Sequence, residues 1–225
     1  MLDKYNADID NFFSWYVEVK SVLTSAEIAE LNGKIYFQPY NELRYALDHF
    51  MRAIGWSKEQ AAIAEDKKVE LDKNIKGALK SATGHLQRAY SDVLEWYFLT
   101  VKSMCVKTLA PYESEQIIHA IPNYYSDIKP FLMQFEKNLA IYKENKSSEK
   151  NDLTNEENAD FMLFNSDDFN KLSKIFETVQ KSEASLMEMR SKGKKKNIII
   201  AFIIPIITCI VGTVAGGILT AFIMG

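Results

Sequence analysis

Along most of the chain, apolar residues recur at spacings of three and four, and no segment alternates apolar with polar over a strand's length. That period is the mark of amphipathic helices. A first run covers Asp3 to Leu31, and "NGK" at Asn32 to Lys34 stops it, with Gly33 able to take a positive φ. "YFQPY" reads as a short link. A second helix is expected from about Tyr40 to Ile54, closed by Gly55. Ser57 and Gln60 have capping-box spacing, so a long third helix follows over roughly Lys58 to Thr108, interrupted near the charged stretch Asp72 to Lys76. "APYESEQ" opens another helical stretch. Pro122 and Pro130 cut it, because an interior proline loses a hydrogen bond and clashes with the preceding turn. Tyr142 to Asp160 is polar and charged and reads as a linker or loop. Helical spacing resumes after Asn165 or Ser166, either of which can cap, with Asp167 and Asp168 favourable in the first turn.

The last segment breaks this pattern. From Ile198 to Met224 there are 27 positions without a charge, and a bilayer core needs about 20 apolar residues in a helix. Arg190, Lys192, Lys194, Lys195 and Lys196 precede it as a basic collar, which belongs on the cytoplasmic side and beside anionic headgroups. The expected layout is therefore an all-α chain. A cytoplasmic bundle of four to six helices (1–141) is followed by a polar linker (142–160) and a juxtamembrane helix with its collar (161–196). One transmembrane helix (197–225) ends it, and the bacterial inner membrane is the natural location. The N-terminus "MLDKYNADID" has neither a basic nor an apolar signal region. Within the span, Thr208, Gly212, Gly216 and Thr220 fall four apart and make a stripe of small residues, with Gly212-x-x-x-Gly216 the close-packing motif of membrane helices. Self-association, and hence a homo-oligomer, is the expectation. The uncharged span offers no ion relay.

Charge and cysteine content narrow the classes. With the five collar bases set aside, 22 bases face 30 acids, so the body carries about −8. A dedicated DNA binder shows a basic face instead. Cys105 and Cys209 form no disulfide framework, and three scattered histidines make no metal site. No cofactor is expected.

Two of those three histidines stand in matching frames. "ALDHFMRA" and, thirty-six residues on, "ATGHLQRA" share the kernel A-x-x-H-[FL]-x-R-A. On a helix at 100° per residue, Leu43, Ala46, Leu47, Phe50 and Ile54 form an apolar stripe. Glu42, Tyr45, His49 and Arg52 form a polar seam beside it, and Arg44, Asp48 and Arg52 can make a charge ladder. In the second frame, Leu86, Ala89, Val93 and Tyr97 line the stripe, while His85, Arg88 and Asp92 follow the polar edge. Ala46 and Ala53, like Ala82 and Ala89, are small residues seven apart that let two helices approach. If these helices pair, the two His-x-x-Arg units share one seam, with Glu42 and Asp92 as counter-charges. A structural network built on a helical repeat is one reading of this seam, and a chemical site is the other.

"RYALDH", Arg44 to His49, is the Arg-x4-His spacing and resembles the short motif of HEPN-type helical domains, over about residues 35 to 110. Many such domains are metal-independent ribonucleases. The resemblance implies His49 as general acid or base and Arg44 as the group that steadies phosphate charge. On one continuous helix these two residues project about 140° apart, so their convergence requires a helix end or two protomers. The overall layout resembles small membrane-disrupting effectors of bacterial antiviral defence. Three functions follow as expectations. The first is a self-associating membrane effector with a helical sensor domain triggered by a cytoplasmic protein or an RNA. The second is a tethered ribonuclease using Arg44 and His49. The third is a non-catalytic membrane scaffold or adaptor.

Overall fold

The computed structural model describes residues 3–30, 33–60, 64–148 and 167–191, and all regular structure among them is helical. A 3₁₀ turn, Asp3–Tyr5, leads into α1, Asn6–Ala29. Gly33 takes φ +66° in the link that follows, a conformation only glycine adopts without strain. Then come α2 (Phe37–Glu59), α3 (Glu65–Leu109), α4 (Ser114–Ala120), a π-turn (Tyr124–Ile128) running into α5 (Lys129–Ser148), and α6 over residues 167–191.

At 45 residues and 1.5 Å per residue, α3 is a spine roughly 67 Å long. α1 runs parallel to it, since Trp15 meets Tyr90 and Glu30 meets Thr100. α2 runs antiparallel: Glu42 reaches His85, while Ala53 packs among Ile75, Ala78 and Leu79 nearer the start of the spine. α5 is also antiparallel, with Phe135 stacked on Phe98 at 4.5 Å and Lys143 bonded to Glu95 at 2.5 Å. α6 runs with the spine. Asp168 lies close enough to Tyr90 for its charge to help raise that phenol's pKa, after burial. Further along, Ser173 and Phe176 both meet Tyr97.

Several boundaries differ from the expectation, each for a physical reason. α2 starts at Phe37, inside the supposed link, and passes through Gly55 to Glu59. Buried Ala53 and Ser57 hold that last stretch, and the Ser57 hydroxyl donates to the Ile54 carbonyl instead of capping a new helix. α2 ends at Glu59, and α3 begins at Glu65 rather than near Lys58. α3 is uninterrupted at Asp72 to Lys76. Ile75 is fully buried there, and Asp72 is held by the Tyr5 hydroxyl and Lys4, both at 2.5 Å, and by Lys76 at 3.4 Å. Those partners keep the Asp72 carboxyl well below the usual range.

The link after Ala110 begins α4 with a capping box between Glu113 and Gln116. Pro122 separates α4 from the π-turn, whereas Pro130 lies in the first turn of α5 and does not divide it. Tyr142, placed at the start of the linker by sequence, is buried in α5, which continues to Ser148. α6 packs into the domain as well, because Leu172, Ile175, Val179 and Leu186 belong to the same core as α1, α3 and α5. Asn165, Ser166, the collar from Lys192 to Lys196 and the apolar segment with Thr208, Gly212, Gly216 and Thr220 lie outside the described residues. Among the described residues, no helix is long and apolar enough to cross a membrane.

Candidate functional site

The α2–α3 contact brings the two histidine frames face to face. Ala46, Ala53, Ala82 and Ala89 are all buried at 0–1% exposure. Such small residues let helix axes approach closely, and the polar seam lies alongside them. The His49 and His85 rings stack at 5.1 Å and 22°, and the Tyr45 ring lies 5.4 Å from His85. Glu42 holds the centre. Its Oε2 is 2.7 Å from Nδ1 of His85 and accepts from Nε of Arg88 at 3.1 Å, with the carboxylate side chain only 13% exposed.

A third contact makes this cluster chemically interesting. Nη2 of Arg88 also stands 2.7 Å from Nδ1 of His85. A guanidinium N–H only donates and a carboxylate only accepts, so Nδ1 can satisfy one of them at a time. Unprotonated, Nδ1 accepts from Arg88. Protonated, it donates to Glu42. Which ring nitrogen of His85 carries hydrogen therefore decides whether Nδ1 bonds Arg88 or Glu42, and Glu42 keeps Arg88 through Nε with either arrangement.

His49 sits beside this cluster with a different electrostatic setting. Burial and then the charges of Arg52, His85 and Arg88 push its pKa down, against a smaller opposing effect of Asp48. His49 is thus neutral at pH 7. The folded state binds this proton less readily than the unfolded chain. The associated stability is present above the ordinary histidine value near 6.5 and is lost as pH falls through the lowered folded value. We expect His49→Gln to flatten the fall in urea midpoint between pH 7.5 and 5.5. Unfolding curves at the two pH values test this, and parallel losses in both proteins would refute the assignment.

The other sequence-selected residues are placed less centrally. Arg52 pairs with Asp48 at 2.5 Å on the outer face of α2, so that rung of the charge ladder forms. Arg44 is exposed, and its guanidinium lies over the Tyr45 ring at 5.1 Å. α2 is continuous through Arg44 and His49, so the two diverge around one helix. Asp92 is buried on the side of α3 that meets α5, where its charge adds to that of Glu95 in favouring protonated Lys143. Leu47, assigned to the apolar stripe, is 46% exposed. His119 is exposed in the last turn of α4. Among the described residues, no group of three or more His, Cys, Asp or Glu could hold a metal ion. Cys105 is buried, and burial pushes its thiol up to about 11, which leaves it unreactive at neutral pH.

The Lys143–Glu95 pair escaped sequence reasoning. The two residues are 48 positions apart, and nothing local marks them as partners. Comparison of the chain with protein-family models, curated proteins and solved structures finds no match in any of the three.

Proposed function

We propose that the chain is a tail-anchored, self-associating membrane effector. Its helical domain receives a trigger and its C-terminal segment perturbs the membrane, a role suited to bacterial antiviral defence. One observation supports this most. α6 is held in the domain core by Leu172, Ile175, Val179 and Leu186 and runs to residue 191. The next residues in sequence are the basic collar and then 27 uncharged positions. Because the collar and the uncharged segment follow this core helix directly in sequence, repacking of the domain is expected to be felt by the segment beyond it. The half-buried Glu42–His85–Arg88 cluster suits the receiving element, because its hydrogen bonds have two arrangements.

The ribonuclease reading asks Arg44 and His49 to act on one phosphate. Their divergence on a continuous α2 leaves that reading dependent on a second protomer. A passive adaptor shares the same layout but predicts no change in the membrane. Expression of the triggered protein is expected to collapse membrane potential, and Gly212→Leu with Gly216→Leu is expected to abolish the collapse by separating packed spans. A potential-sensitive dye reads both. Unchanged potential with the triggered wild type would overturn the proposal.

A further inference from the structure

A groove encloses about 670 Å³ where the C-terminal end of α1, the 33–36 link and the second half of α3 meet. That volume is within the range of small-molecule sites. Its apolar wall comes from Ile35, Tyr36, Trp96, Leu99 and Met104, and Ile35 and Leu99 are 61% and 47% exposed. Lys34 and Lys107 also line it, and neither has an ion-pair partner among the described residues. The acid on the wall, Glu30, accepts a hydrogen bond from Thr100 at 3.4 Å. Two cations with no ion-pair partner among the described residues, beside an apolar wall, suit an amphiphile with an anionic head. Trp96 is buried, and of the exposed apolar lining Ile35 and Leu99 suit a methylene chain, along which the 40% exposed Tyr36 ring can lie.

The position of the groove indicates the source of that amphiphile. Lys107 is in the last turn of α3, and α6 runs in the same direction as α3. The groove therefore lies toward the end of the domain at which α6 reaches residue 191. From residue 191 to Ile198 there are seven steps, at most roughly 25 Å when extended. We propose that the groove seats an acyl chain of an anionic phospholipid from the bilayer, with Lys34 and Lys107 on its phosphate. This rests on the membrane-anchored reading above.

The test uses the full chain carrying Trp15→Phe and Trp56→Phe, which leaves Trp96 as the sole indole. Vesicles contain phosphatidylglycerol or phosphatidylcholine brominated on the acyl chain, because bromine quenches indole on near contact. Flotation with the vesicles reports anchoring separately. The expected result is quenching of Trp96 by the anionic lipid in preference to the zwitterionic one. Each lysine near an anionic surface contributes about fivefold, so Lys34→Gln with Lys107→Gln should raise the lipid needed by roughly twenty-five-fold. Absent quenching in a chain that floats, or equal quenching by both lipids, would overturn the proposal. If the chain does not float, the anchored reading fails by itself, and monomeric brominated lysophosphatidylglycerol then decides the groove. Quenching would support an anionic-amphiphile site, and its absence would overturn one.

Discussion

Replacing Phe98 by alanine is expected to lower the stability of the domain by about 3–5 kcal/mol. Phe98 is fully buried at the middle of the spine's second half, stacked on Phe135, which itself meets Phe131 edge to face. Deleting the ring removes transfer energy and opens a cavity where α3 and α5 join. Helices on both sides are fixed by other contacts, so little collapse can fill the space. Total stabilities of domains are about 5–15 kcal/mol, which makes this a large fraction of the whole. Urea unfolding followed by far-ultraviolet circular dichroism checks it, with Leu47→Ala as the control. Leu47 is exposed and should change stability by no more than about 0.5 kcal/mol. Equal effects of the two substitutions would show that the α3–α5 contact is not part of the native core.

The second large effect is expected at Glu42. Its carboxylate serves both His85 and Arg88 from a site that is mostly shielded from water. Glu42→Ala removes the bond to Arg88, and the bond to His85 where Nδ1 carries hydrogen, and leaves imidazole and guanidinium 2.7 Å apart. Hydrogen bonds to charged groups contribute about 1.5–3 kcal/mol, and the loss should fall in that range. A double-mutant cycle with His85→Ala gives the sharper result. Groups in one network couple by roughly 0.5–3 kcal/mol, so the double variant should be less destabilised than the sum of the singles. Strict additivity would mean that Glu42 and His85 do not interact in solution.

Much of the α2–α3 seam was legible before any coordinates. The repeated kernel set His49 and His85 in matching frames. The alanines at seven-residue spacing pointed to a close helix contact, and Glu42 followed from its place on the polar edge. Other features depend on contacts that no local pattern carries. Gly55 looks like a helix end, yet buried Ala53 and Ser57 keep the helix going. Asp72 to Lys76 looks like a solvated break, yet Ile75 is buried and Tyr5 and Lys4, distant in sequence, hold Asp72 from the start of α1. Tertiary partners override local propensity at both places. Asp92 shares the polar edge with Arg88 on a helical wheel, but the approach of α5 gives it a different neighbour in Lys143. The opposed demands of Arg88 and Glu42 on one ring nitrogen of His85 are a matter of distances, and sequence contains none.

The membrane-effector reading is tested most directly by membrane potential in cells expressing the wild type, a truncation after Met189, His49→Ala and His85→Ala, each under the triggering condition. The expected result is depolarisation by the wild type, complete loss of it in the truncation, and its persistence in His49→Ala. Toxicity that survives truncation but disappears with His49→Ala, with potential intact throughout, would contradict the reading and make the domain an enzyme on a tether.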